Sequence, residues 1–257
     1  MAWIFVLSAS FAASLLTLFT GFGLGTLLLP VFALFFPLPL AISLTALVHL
    51  ANNLFKFLLL GRHADRETVL RFGIPAMAAS FVGAACLVYF EAMPPLFHYQ
   101  WFGHQAEVTV LKCVIAGLMT CFAFYELIPS LSGLSFPRHF LALGGLVSGF
   151  FGGLSGHQGA LRSAFLIRCG FSREVYIGTG VAISCLVDMT RLLLYSTRFT
   201  GFLKGGHGRM AMFAVLAAFA GAFLGSRLLK KVSIAWIRSW VTFFLFLIAA
   251  ALAAGIF

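Results

Sequence analysis

Charge is what this chain has least of. Only 9% of its 257 residues are charged, and just 7 are Asp or Glu, where a soluble domain carries roughly 25% charged residues. So little charge cannot cover a soluble fold of this size. A hydrophobic share of 61% and a mean hydropathy of +1.05 point the same way. The shortage of acids excludes chemistry as well. Paired-carboxylate catalysis needs two acids in one site, and Asp188 is the only Asp or Glu well inside an apolar segment. No GxxxxGK[ST], HExxH or GxSxG occurs, which removes the usual signatures of ATP binding, zinc proteolysis and serine hydrolysis. The five cysteines (Cys86, Cys113, Cys121, Cys169, Cys185) form no CxxC and no Cys/His metal spacing. They read as small buried hydrophobes, and no metal or cofactor is expected. The first apolar run has no basic stretch before it and no A-x-A site after it, so it reads as retained rather than cleaved.

What is present is long apolar sequence. A spanning helix takes about 20 apolar residues, and eight stretches qualify, at about 3–36, 39–60, 68–90, 106–129, 139–168, 174–195, 209–229 and 234–257. The links are short, so the chain is expected to be a single all-α integral membrane domain embedded in a lipid bilayer. Residues 91–107, acidic and aromatic with two prolines, read as the longest loop. The formal net charge of +10 sits mostly in the links, where it reports topology rather than a nucleic-acid partner.

The first and fifth stretches are about 30 residues long and broken by glycine, at GFGLG (21–25) and GGLSGHQG (152–159). An offset of 135 superimposes them without a gap: Gly21 falls on Gly156, Asn53 on Asp188 and Lys56 on Arg191. FVGAA (81–85) also resembles FAGAF (219–223). Two repeats of four segments follow, at about 1–130 and 138–257. Broken helices in matching positions of a duplicated chain point to the binding site of a secondary transporter.

Positive charge discriminates between topologies. If all eight stretches cross, Lys and Arg divide seven against six, which is no bias. If the fifth turns back at its glycines, ten (Arg62, Arg66, Arg71, Arg138, Arg168, Arg173, Arg227, Lys230, Lys231, Arg238) face three (Arg198, Lys204, Arg209). Residues 1–55 contain no Lys or Arg, so re-entry of the first stretch rests on the repeat alone. A hairpin plus three spans in each half makes the halves inverted.

Breaking a helix in a bilayer frees backbone groups that lipid cannot satisfy. Such a break belongs where a ligand or another backbone approaches closely, and the half-helix after it offers free N–H groups to an anion. In GHQGALRS, His157 and Gln158 add donors and Arg162 a permanent cation one turn into the half-helix. The structural alternative is a packing break, with Gln158 satisfying the loop and Arg162 snorkelling toward Arg168. In the second stretch His49, Asn52 or Asn53, and Lys56 share one helix face. In the sixth, Ser184, Asp188 and Arg191 do the same. Ionisable groups inside spans are costly and default to function. Lys56 and Arg191 are then anion-steering cations, one toward each mouth, with His49 beside them. The structural alternative pairs Asp188 with Arg191 and lets Lys56 snorkel. Gly221 and Gly225, with Ala217, read as a small-residue packing face.

The break GFGLGTLLLP with Pro30, its repeat, the FxGA elements and the eight-segment plan resemble the sulfite exporter TauE/SafE family of membrane permeases. That resemblance implies transport of sulfite, organosulfonates or related sulfur-containing or carboxylate anions across the bacterial plasma membrane. By position it implies that Gly21, Phe22, Gly23, Gly25, Asn52, Asn53, Gly156, His157, Gln158, Gly159 and Asp188 line the substrate site. The second break departs from the family pattern, with HQGALRS in place of a repeated glycine run and Phe165 opposite Pro30. The function expected is a non-enzymatic secondary transporter of a small anion. An anion channel, or an intramembrane enzyme, is the alternative, and a coupling ion (proton or sodium) and a homodimer are left open.

Overall fold

The computed structural model describes residues 2–20, 24–101, 104–198, 207–228 and 234–256. Helices occupy each of the eight apolar stretches, and the first and fifth are each in two pieces. The elements are α1 (Ala2–Thr20), α2 (Leu24–Ala33), α3 (Leu38–Leu60), α4 (Arg66–Thr68), α5 (Ile74–Glu91), β1 (Phe97–Trp101), β2 (His104–Val108), α6 (Val110–Leu127), α7 (Pro129–Ser132), α8 (Leu141–Ser155), α9 (Gly159–Leu166), α10 (Arg173–Arg198), α11 (His207–Leu228) and α12 (Ile234–Ala253). Among the described residues, four helical runs are long and apolar enough to cross a bilayer: Leu38–His63, Arg66–Glu91, Val110–Leu127 and Arg173–Ser196. The second of these joins α4 to α5 through a π-helical turn, Val69–Gly73, which no residue pattern foretold.

Local sequence sets the ends. Thr109 caps α6, its hydroxyl accepting from the Lys112 amide at 3.2 Å, and Asp65 caps α4, accepting from the Thr68 amide at 2.9 Å. Gly156 ends α8 with φ +84°, a left-handed conformation that a side chain strains and glycine adopts freely.

Both broken stretches fold back on themselves. The Phe136 amide, before α8, donates to the Ala164 carbonyl in α9 at 3.0 Å. Close by, the Arg168 Nε donates to the Ser135 hydroxyl at 2.8 Å, and the Phe136 ring stacks on Phe165 with centroids 4.6 Å apart. The entry and exit of α8–α9 therefore lie side by side. In the first stretch the rings of Phe5 and Phe35 stack at 6.1 Å, which closes α1–α2 in the same manner.

The hairpins seat on helices far away in sequence. α8 packs along α5, and α1 along α11; α3 packs on α10, and α6 on α12. Bare backbone makes the closest of these contacts. A Cβ at Gly149 or Gly153 of α8 would collide with the carbonyl of Ala76 or Ser80 in α5, and one at Gly83 of α5 with the Phe150 carbonyl. On the other side, a Cβ at Gly221 of α11 would strike the Phe11 carbonyl of α1. No apolar driving force separates helix from lipid, so dispersion contacts between such smooth faces hold the bundle together.

The two ends of the bundle differ. At one, Arg138 reaches Asp65 at 3.5 Å and lies over the Phe171 ring at 5.8 Å, and the Asp65 amide donates to Thr179 at 2.9 Å. At the other, Trp3 meets Phe213 with centroids at 6.0 Å, and a cavity of about 510 Å³ is lined by residues 33–39 together with Glu91, Glu107 and Lys112. The stretch read as the longest loop carries an antiparallel hairpin instead, Phe97 pairing with Val108 and Trp101 with His104. It ties down the chain's end: the Glu107 amide donates to the Gly255 carbonyl at 3.2 Å, and the Tyr99 hydroxyl donates to the Ala254 carbonyl.

Candidate functional site

The two glycine breaks meet. A Cβ on Gly25, in the first turn of α2, would lie 3.0 Å from the Gly156 carbonyl oxygen. Gly21, Phe22 and Gly23 lie outside the described residues. Beside this meeting point is a buried polar web centred on Asp188 of α10, which is 0% exposed.

Five N–H groups crowd that carboxylate. Its Oδ1 accepts from Gln158 Nε2 at 3.1 Å and from Arg191 Nε at 3.0 Å, and is paired with Arg191 Nη2 at 2.7 Å. Its Oδ2 faces His49 Nδ1 at 2.5 Å and accepts from Asn53 Nδ2 at 3.3 Å. Asn53 and Asp188, which the sequence offset superimposes, therefore touch across the centre. Asn53 Nδ2 also lies 3.4 Å from His49 Nε2.

The remaining site residues surround this core. Asn52 is buried, with its Oδ1 accepting from Ser14 of α1 at 3.0 Å. The His157 ring stacks on Phe122 of α6, centroids 4.9 Å apart and planes 8° apart, with Nδ1 3.0 Å from the Ser155 hydroxyl. Gly159 begins α9, whose Arg162 donates to the Ser184 hydroxyl of α10 and lies 3.5 Å from Gln158 Oε1. Arg162 is thus turned to α10, away from the snorkelling path toward Arg168. Gly156 is required twice over, by its positive φ and because a Cβ there would sit 2.7 Å from Arg191 Nη1.

Arg191 departs from its expected place at a mouth. Its side chain is 0% exposed and pairs with Asp188 at i, i+3, because the buried carboxylate offers a partner that an aqueous mouth one turn or two away would not match. Lys56 is buried as well, at 7% exposure, rather than snorkelled. The like charge of Arg162 acts on it.

Two features of this web favour an anion. Arg191 is paired with the one carboxylate and Arg162 acts on it from α9, an excess of positive charge that is costly unless something balances it. Moreover Asn52 Nδ2, His157 Nε2 and Arg191 Nη1 are buried with no hydrogen-bond partner among the described residues, where buried polar atoms are ordinarily paired. Two of the three are obligatory donors. Among the described residues no cluster of His, Cys, Asp and Glu could hold a metal ion.

Sequence reasoning overlooked Ser14, Phe122 and Tyr195. The Tyr195 hydroxyl donates to the Gly153 carbonyl, one turn before the break. Ser14 and Tyr195 lie on apolar helices among other hydroxyl residues, and nothing in the sequence set them apart. Nor did anything mark Phe122, one of 31 phenylalanines.

A family model for the sulfite exporter TauE/SafE matches residues 6–252, a range that takes in both breaks and the whole polar web. No curated protein and no solved structure matches the chain.

Proposed function

The chain belongs to the sulfite exporter TauE/SafE family, and from that premise we propose that it is a secondary transporter that carries a small anion through the centre of the bundle. The anion is sulfite, an organosulfonate or a related sulfur-containing or carboxylate anion, and the membrane is the bacterial inner membrane. One observation carries the reading: two broken helices meet beside a buried web with more cations than carboxylates and with unpartnered donors. Gly25, Gly156 and Gly159 let the backbone approach the anion, while Asn52, Asn53, His157, Gln158 and Arg162 supply donors, with Arg191 held ready by Asp188.

We read the architecture as two inverted four-segment repeats with re-entrant hairpins. Three observations support it. Each broken stretch returns to its starting end. The third segment of each half holds the hairpin of the other, α5 with α8 and α11 with α1. The cations Arg62, Arg66, Arg138 and Arg168 lie in or beside the segments joined at the Asp65 end, while Arg209 begins α11, whose Phe213 meets Trp3 at the opposite end. Inverted repeats permit alternating access, with one half rocking against the other around a fixed central site.

The test is reconstitution. Purified protein in liposomes should show saturable counterflow for at least one of sulfite, methanesulfonate and acetate. Single-channel currents would replace the carrier by an anion channel, and neither activity would remove the reading.

A further inference from the structure

Asp188 has no room for a cation. All five groups on its two oxygens are N–H donors or a guanidinium, whereas a sodium ion needs several oxygen ligands with free lone pairs. A coupling ion at this centre must then be one that binds nitrogen. His49 offers that nitrogen, and imidazole is the side chain whose charge ordinarily changes between pH 5 and 8. We propose that His49 is the proton site of this transporter, loaded together with the anion, so that one proton moves with each anion. The proposal rests on the transport reading above and adds the coupling ion to it.

The geometry of the pair gives the sequence of events. His49 Nδ1 faces Asp188 Oδ2 at 2.5 Å and donates its proton there in the neutral ring. Asp188 is already balanced through its other oxygen by Arg191, so the ring is stable uncharged and gains a charge only when a proton arrives. The incoming proton binds Nε2, and Nδ1 keeps its own. Both ring nitrogens are then donors, and Asn53, whose amide nitrogen lies 3.1 Å from Nδ1 and 3.4 Å from Nε2, must turn to present its carbonyl oxygen. Asn53 also contacts Asp188, so proton loading rearranges the residues at the centre of the bundle.

The surroundings make the proton and the anion cooperate. From α10 come Asp188, Arg191 and the thiol of Cys185, from α9 Arg162, from the break His157, and from α3 itself Lys56. α2 and residues 210–226 of α11, which also pack on α3, contain no titratable side chain. With cations already in excess, a further charge on His49 is tolerated best when an anion is present. By linkage the proton in turn raises anion affinity. With a monovalent anion the joint load is electroneutral, which spares the carrier the electrical work of moving a lone charge across the membrane potential.

Proteoliposomes with a trapped pH-sensitive dye test this with two probes that carry no proton of their own, methanesulfonate and, at alkaline pH, sulfite. In net uptake down an anion gradient, wild-type protein should move one proton for each anion, and His49→Gln should retain slower uptake with no proton movement. Net anion uptake by wild type with no proton movement would overturn the proton site and leave the transporter standing. Unchanged proton movement in the variant would place the site elsewhere. Should the variant fail to assemble, the wild-type ratio still decides: a ratio of one with sodium replaced by choline supports the proposal, and a sodium requirement overturns it. Absence of counterflow for sulfite, methanesulfonate and acetate alike would remove the transport reading itself.

Discussion

Asp188→Asn keeps the shape of the side chain and removes its charge, which makes it the sharpest probe of the web. In the native protein Arg191 is 0% exposed and, among the described residues, finds its only ion-pair partner in Asp188, at 2.7 Å. Removing one member of a buried pair leaves an uncompensated charge and costs about 3–5 kcal/mol, or roughly two to four powers of ten in the folded-to-unfolded ratio. Removing both members costs far less, because the penalty comes from the unpaired charge rather than from the lost attraction. The double variant Asp188→Asn/Arg191→Gln should therefore recover most of the stability. An anion taking the place of the carboxylate should also restore the single variant, by about 2.7 kcal/mol at a hundredfold excess over its dissociation constant. Unfolding of detergent-purified protein, followed by tryptophan fluorescence with and without sulfite, reads all three. A single variant as stable as wild type, or a double variant worse than the single, would refute the account of Arg191 as a cation held by Asp188.

Arg162→Ala should raise the apparent KM for the anion by about 10- to 150-fold, the loss of a charge-assisted hydrogen bond worth roughly 1.5–3 kcal/mol, with Arg162→Lys recovering only part; unchanged uptake into proteoliposomes would make Arg162 a packing residue. Gly149→Leu, forced against the Ala76 backbone, should destabilise the protein by about 1–3 kcal/mol or prevent assembly, while Gly117→Leu, with nothing within 4 Å of its Cβ position, should not, and equal behaviour in size-exclusion profiles would contradict the close seating of α8 on α5. Single cysteines at Arg138 and Arg173 should label from the same membrane face in intact cells, and opposite labelling would restore eight full crossings. The hydrogen bond from Thr68, and then the charge of Arg138, hold the Asp65 carboxyl below the usual carboxylate range. A carboxyl lowered on folding stabilises above its unfolded value and loses that contribution as pH falls, so the stability gap between wild type and Asp65→Ala, about 0.5–2 kcal/mol at neutral pH, should close toward about pH 3. A gap that persists there would place the cap's contribution elsewhere than in its charge.

Glycine made much of this legible. The breaks at 21–25 and 152–159 stand out because only glycine tolerates a left-handed turn such as Gly156 adopts, and the offset between them led to Asn53 and Asp188, which are in contact. Gly221 was read as a packing residue and does touch backbone, at Phe11. Gly145, Gly149 and Gly153, spaced by four along α8, went unremarked because the break beside them drew a ligand-based explanation. Arg191 was assigned to a mouth because helix rise measures height along a span and says nothing about which neighbour a side chain turns to. The hairpin at 97–108 was missed since the alternation of His98, Gln100, Gln105 and Glu107 with aromatic and apolar residues runs for only five residues in each strand. Pairing across the centre is long-range, and one sequence carries such pairings only where an internal repeat exposes them.

The seating of α1 on α11 sets a schedule for making the protein. α1 leaves the ribosome almost two hundred residues ahead of the helix that will cover its glycine-contacting face, about 10–40 s at roughly 5–20 residues per second. During that interval the first hairpin has no final partner in the bilayer. The insertion machinery, or α3, has to shelter it until the other half arrives. α8 waits for nothing, since α5 is already in place when it emerges. The first half of the chain is thus the apprentice for half a minute and the scaffold thereafter, and the two hairpins have unlike histories.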